Sequence, residues 1–366
     1  MPKYGYISWL AASVALWWTM QPICIANNGW TPHGIRPTGM GGAFVSVADD
    51  FNALFYNPAG LARISEWDGE FLNPSMEISS KTFNFANKML KLATQKSEDS
   101  TRGALEAFEE EVGTVHSFGI AWSPHFITTG WGFGLNLRSH ALFVAHRNIE
   151  IDLVARVLEV VAPLSFATDL IEKRLSLGVT AKFLATSGID AQFNLDSLDI
   201  FTKNSSAKSV ESFVDSAMGI GIDLGLLFTP DVASHMAPTM GISVANFGGT
   251  QWFGKIIKTS TISKDINPSV NMGFSIKPYT TDSTYLLLAA EMHEINRPIH
   301  HTHKSHLGME FGVSDILKIQ AGLQSSQLTM GLQFDVGLIN LRLATYAVDH
   351  SPVAGVTSDT VDRRII

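Results

Sequence analysis

The chain has 366 residues, 45% of them hydrophobic and 16% charged, yet beyond its first two dozen residues it has no unbroken apolar run of the ~20 residues a membrane-spanning helix needs. A formal net charge of −8 without any Lys/Arg cluster argues against nucleic-acid binding, and a single cysteine, Cys24, excludes a disulfide framework and a thiolate metal cluster. Thirty glycines and 22 phenylalanines favour many strands over packed helices, because glycine weakens helices and aromatics suit a pleated, half-buried surface.

Met1 to Tyr6 carries one cation, Lys3, and leads into the apolar stretch Ile7 to Met20, then Gln21, Pro22 and a small-residue site ending at Ala26. This pattern predicts a secretory signal peptide, residues 1–26, cleaved after Ala26. An uncleaved anchor fits Pro22 and the short apolar core poorly, and acylation of Cys24 fits the bulky Pro22 and Ile23 before it poorly. Cleavage after Ala26 leaves no cysteine, which suits a chain that crosses an oxidising periplasm unfolded.

From Gly34 to Ala62 the chain runs GIRPTGMGGAFVSVADDFNALFYNPAGLA. Gly39, Gly41 and Gly42 allow close backbone approach, and Asp49 or Asp50 can cap a short helix with Phe51, Leu54 and Phe55 as its apolar positions. Pro58 forbids its continuation and pushes Asn57 to extended geometry, so the stretch is a compact glycine, helix and turn unit that could fit inside a barrel. Gly39, Gly41, Gly42, the pair Asp49 and Asp50, and the run Asn57, Pro58, Ala59, Gly60 resemble the N-terminal signature of the FadL superfamily of outer-membrane proteins. That superfamily includes long-chain fatty-acid transporters, spirochaete FadL-like proteins and PorV-like proteins of type IX secretion. The resemblance implies a hatch, residues 27–64, filling the lumen of a β-barrel formed by residues 65–366.

The stretch Ala86 to Val112 interrupts the strand pattern: Met89, Leu90, Leu92, Leu105, Phe108 and Val112 sit among Lys, Glu and Asp. It predicts a helical loop insertion, residues 86–112, since such charge density does not sit at bilayer depth. Beyond it, period-two alternation recurs, with large apolar residues on one face and glycine or polar residues on the other. Phe133, Leu135 and Leu137 alternate with Gly134, Asn136 and Arg138. Met218, Ile220, Ile222, Leu224 and Leu226 oppose Gly219, Gly221, Asp223 and Gly225, and Leu307, Met309, Phe311 and Val313 oppose Gly308, Glu310 and Gly312. A soluble sandwich alternates too. The export signal, the glycine-rich polar face and the unbroken series of such segments favour an all-β transmembrane antiparallel barrel of about 14 strands. Thr202 to Ser212 and Lys255 to Asn267 are polar loop candidates.

His293, His300, His301, His303 and His306 form the one dense set of candidate metal ligands. On a strand, His301 and His303 would share a face with chelating spacing; in a hydrophilic hairpin loop they would be unliganded histidines, the reading favoured here. The chain ends Val361-Asp362-Arg363-Arg364-Ile365-Ile366, where the family usually finishes on an aromatic residue. No G-x-S-x-G, H-E-x-x-H or G-x-x-x-x-G-K-[ST] motif occurs, so no enzyme and no cofactor is expected, although a Ser/His pair brought together from separate strands would leave no motif.

The resemblance implies a protein of the cell outer membrane that passes hydrophobic compounds such as long-chain fatty acids by passive diffusion through a hatch-gated barrel. Its partners would be outer-membrane lipid, hydrophobic small molecules and the barrel assembly machinery, with no nucleic acid. A PorV-like scaffold or shuttle that binds protein cargo of a secretion system shares the signature and is the alternative. A surface adhesin without transport is a third reading. Mass spectrometry of the protein purified from membranes should give an N-terminus at Asn27; retention of residues 1–26 would contradict cleavage.

Overall fold

The computed structural model describes residues 34–94, 103, 106–107, 109–146, 150–171, 174–193, 214–231, 236–253, 267–314, 316–337, 339–349 and 361–366. The expected signal peptide, residues 27–33, Leu105, Phe108, Thr202–Ser212 and all of Lys255–Asn267 except Asn267 lie outside these.

One antiparallel sheet closes on itself. Taken in chain order, its strands are β1 (Asp68–Glu70 and Pro74–Ser79), β2 (Val115–Trp122 and His125–Thr128), β3 (Trp131–Gly134 and Asn136–His146) and β4 (Glu150–Ile171). Next come β5 (Leu175–Phe193), β6 (Val214–Phe228), β7 (Thr239–Ala245 and Gln251–Phe253), β8 (Ser269–Thr280) and β9 (Thr284–Met292). The ring is completed by β10 (Ser305–Val313), β11 (Leu317–Gln324), β12 (Gln327–Asp335), β13 (Asn340–Asp349) and β14 (Val361–Ile365). Each strand pairs with the next, and β14 returns to β1 through Arg364 opposite Ser79 and Ile365 opposite Ile78, so the described residues form a barrel of 14 strands, the number expected from the sequence.

The alternation maps onto the two faces of this wall. Met218, Ile220 and Ile222 of β6, Met272 and Phe274 of β8, and Leu307, Met309 and Phe311 of β10 are exposed on the outside. Thr180 and Lys182 of β5, Asp223 of β6, Ser275 of β8 and Glu310 of β10 are buried on the inside. An apolar exterior around a polar interior is the inverse of a water-soluble protein, and closure of the sheet gives the strands' backbone groups partners without water. Among the described residues no helix is long and apolar enough to cross a membrane; the protein crosses with strands.

Three neighbouring strands break at the same place. β1 is interrupted at residues 71–73, β2 at Ser123 and Pro124, and β3 at Leu135, within the segment whose alternation suggested one continuous strand. Pro124 has no N–H for the ladder, and its carbonyl still accepts from the Leu135 N–H at 2.9 Å. Ser123 N–H donates to Asn73 O at 3.1 Å, so the breaks are tied to one another.

The helices are few. α1 (Ile35–Gly39) and α2 (Ala53–Tyr56) belong to the N-terminal segment, α3 (Ser80–Thr94) occupies the connection between β1 and β2, and α4 (His301–Lys304) precedes β10. The helical stretch expected from Ala86 thus starts at Ser80. Replacing Ile222 on the lipid face by lysine is expected to destabilise the barrel by roughly 2–4 kcal/mol if it sits near mid-bilayer, against about 1 kcal/mol for Ile222→Val. Urea unfolding in lipid vesicles measures both; a lysine no costlier than valine would remove Ile222 from the lipid face.

Candidate functional site

The interior of the barrel is filled by the chain's own residues Gly34–Ile64. Met40, Phe44, Ala48, Leu54 and Leu61 are buried in one apolar cluster with Ile127 of β2 and Leu287 and Ala289 of β9. The segment runs through α1, a glycine turn, α2 and a 3-10 helix (Pro58–Arg63). Gly41 turns with φ +66°, and a methyl group there would lie 2.5 Å from Leu307 O, so only glycine fits. Asn57 is extended, as the following proline demands, and its Oδ1 accepts from the Ala59 N–H at 3.2 Å. Opposite Asn57, Pro58 and Ala59, the wall carries Gly178 and Gly225, where any side chain would overlap the segment backbone.

Polar contacts tie this segment to strands around most of the ring. Thr329 Oγ1 of β12 donates to Gly39 O at 3.0 Å, and His306 Nδ1 of β10 donates to Gly41 O at 2.7 Å. Ser275 of β8 donates to Ser46 O at 3.3 Å, and Asn57 Nδ2 donates to Leu226 O of β6 at 3.2 Å. The Thr129 hydroxyl in the β2–β3 turn donates to Ile64 O at 2.6 Å.

Two anchors carry charge. The first is Glu291 of β9, 4% exposed, whose carboxylate accepts from the backbone N–H groups of Phe44 at 2.9 Å, Val45 at 3.0 Å and Ser46 at 2.8 Å, and from the Ser46 hydroxyl at 2.9 Å. Three successive amides converging on one anion form a backbone nest. His293 Nε2 lies 3.0 Å from the same carboxylate, and its ring stacks on His306 at 4.0 Å. The second anchor is Arg36, which forms a bidentate pair with Glu310 of β10, both contacts 2.7 Å, and reaches Asp49 at 2.6 Å and Asp50 at 2.9 Å. Tyr285 and Gln320 complete the Glu310 carboxylate from the wall, at 2.8 and 3.0 Å. Burial alone would depress the Arg36 guanidinium, but Asp49, Glu310 and Asp50 outweigh it and hold the group well above its ordinary value. Removing one member of such a buried pair leaves an uncompensated charge, at a cost of about 3–5 kcal/mol.

Several sequence-based expectations change here. Asp49 and Asp50 serve chiefly as counter-ions of Arg36 and not as helix caps: α2 has Asn52 at its N-cap with no side-chain cap bond, although Asp50 Oδ1 accepts from the Asn52 N–H at 2.8 Å. His301 and His303 do not share a strand face, because they lie in the short helix α4, where residues two apart point away from each other. Among the described residues no group of three His, Cys, Asp or Glu is placed to hold a metal ion. Gly39, Gly41 and Gly42 lie against β10, β11 and β12, Asn57, Pro58 and Ala59 lie against β5 and β6, and Gly60 packs on Ala48 of the segment itself.

Arg36, Glu291 and Glu310 were not singled out beforehand, and His306 was named only among the candidate metal ligands. The available signal was a charge on the inward, glycine-bearing face of a strand: Glu310 sits between Gly308 and Gly312, as Glu291 lies between Ala289 and His293 on the inner face. Between the segment and the broken part of the wall lies a cleft of about 440 Å3, including the solvent at its mouth, lined by Arg36, Phe51, Phe55, Asn73, Ser123 and Arg342.

No protein-family model and no curated protein matches the chain. Among solved structures it is similar to the toluene transporter TodX of Pseudomonas putida, with a TM-score of 0.51 and 11% identity over 92% of this chain and 96% of that one. It is also similar to the CymD monoaromatic hydrocarbon channel, with a TM-score of 0.50 and 13% identity over 92% of this chain and 96% of that one. The fold is that of these hydrocarbon channels.

The Glu291 nest yields a direct check. In Glu291→Gln one acceptor oxygen becomes a donor facing the N–H groups of Phe44, Val45 and Ser46. Hydrogen bonds to a charged partner are worth about 1.5–3 kcal/mol each, so exchange of these amides should speed up roughly tenfold to a hundredfold, read by hydrogen-exchange mass spectrometry. Unchanged protection would remove Glu291 as an anchor.

Proposed function

We propose that the protein is a passive outer-membrane channel for hydrophobic compounds in which Gly34–Ile64 acts as the hatch. The observation that carries this reading is a lumen filled by a non-covalently held piece of the same chain, directly behind a break shared by three neighbouring strands. Transfer of an apolar molecule through such a barrel needs no nucleotide: moving apolar area out of water is worth roughly 25 cal/mol per Å2, so the gradient and the acceptor membrane drive it. The segment blocks a straight path, so conduction requires its displacement. Its charged anchors, Glu291 and Arg36, define what must be released.

The break in β1–β3 and the cleft behind it support a sideways exit through the wall. At residues 71–73, Ser123–Pro124 and Leu135 the ladder is already interrupted, so an apolar solute leaving there severs few strand–strand hydrogen bonds and passes directly into lipid. The similarity in fold to channels for toluene and other monoaromatic hydrocarbons supports small apolar cargo; which apolar compound is preferred is decided by uptake.

Uptake of labelled oleate and toluene into proteoliposomes, and by a host lacking such a channel, tests the proposal. Wild type should exceed empty vesicles, Glu291→Gln with Arg36→Met should raise the rate severalfold, and deletion of Asn27 to Ile64 should admit polar sugars as well. A folded protein that takes up neither compound sinks the proposal, and capture of a protein cargo without uptake would replace transport by a scaffold role.

A further inference from the structure

We propose that helix α3 is an interfacial helix that lies against the outside of the barrel and docks on anionic lipid headgroups. His116 marks where the helix sits. It belongs to the same outward face of β2 as Phe118 and Ile120, which are 42% and 51% exposed, yet His116 is fully buried. Its cover includes α3: Phe85 lies 5.1 Å from the His116 ring, on the side of the wall that also carries Phe143 of β3, stacked on His116 at 4.5 Å, while Glu111, beyond the helix, lies 3.5 Å from its Nε2. Thr82 Oγ1 accepts from the Ser117 N–H at 2.9 Å and ties the start of the helix to the same strand. The helix therefore rests on the lipid side of the barrel, one outward position beyond Phe118.

Its sequence, SKTFNFANKMLKLAT, has a continuous apolar side. At about 100° per residue, Phe85, Met89, Ala86, Leu90 and Phe83 span roughly half the circumference, and the lysines occupy the other half. Phe85 and Met89 are partly covered, whereas Leu90 is 64% and Phe83 56% exposed. A soluble loop helix would not leave that half bare; a helix in the plane of a membrane buries it in the headgroup and acyl boundary.

Charge identifies the occupant. The helix holds Lys81, Lys88 and Lys91 and no acidic residue, within a chain of net charge −8. Among the described residues Lys88 pairs with Glu110, at 2.5 Å. Cations on one flank and large apolar side chains on the other match phosphate-bearing lipid, to which each basic group near the surface contributes about 1 kcal/mol. The inference is independent of what passes through the barrel.

Nitroxide labels placed one at a time at Phe83→Cys, Asn84→Cys, Leu90→Cys and Phe118→Cys, with Cys24 replaced by serine, test it in the whole protein. The vesicles are phosphatidylcholine with or without phosphatidylglycerol. Labels at Phe83 and Leu90 should be relaxed more by oxygen than by a water-soluble nickel chelate, as at Phe118 in the inserted barrel, and Asn84 should show the opposite. Adding phosphatidylglycerol should shift Leu90 deeper; Lys81→Gln, Lys88→Gln and Lys91→Gln together should abolish the shift, and arginines at the same positions should keep it. A Leu90 label as nickel-accessible as Asn84 overturns the proposal, as does spin–spin broadening from a second copy or an unchanged depth of the wild type in the anionic vesicles.

Discussion

The constraint on which everything else depends is that a backbone inside lipid has no water to bond to. Fourteen strands meet it by closing a ring in which each ladder continues into the next and β14 returns to β1. Closure fixes the two faces: side chains at one parity meet lipid, and those at the other enclose a lumen. The glycine and polar parity of β5, β6, β8 and β10 then acquires a purpose, because a wall without bulky inward side chains leaves room for another piece of backbone.

What fills that room is held by contacts of two kinds. Apolar side chains of Gly34–Ile64 pack on one another and on a few wall residues, which fixes volume but not position. Position comes from the charged anchors. The carboxylate of Glu291 accepts from three consecutive amides, and Arg36 is surrounded by Glu310, Asp49 and Asp50. Both anchors are buried or half-buried polar contacts between the segment and the wall or within the segment itself.

The wall is not uniform. β4, β5 and β6 are long and unbroken, whereas β1–β3 are interrupted at a common level, next to the cleft beside Phe51 and Phe55. The same sector carries α3 on its outer surface. β7 has a separate break at residues 246–250, and for the shared break of β1–β3 Pro124 supplies a local cause by removing a ladder donor.

By itself the sequence determined the class of wall, its number of strands and the compact unit ahead of it, because period-two alternation and the glycine-rich stretch with Asn57-Pro58 are local patterns with local physical causes. It also displayed Glu310 and Glu291 in inward register. Only the tertiary structure decided which partners they take: the contacts from Arg36 to Glu310 and from Glu291 to Ser46 join residues 274 and 245 positions apart, and no local periodicity encodes such a pairing. The same holds for Asp49 and Asp50, which both take Arg36 as a partner while Asp50 keeps the local Asn52 N–H, and for His301 and His303, which a helical turn separated. Strand geometry is written residue by residue, whereas the contents of a closed lumen are set by whatever the closed wall brings face to face.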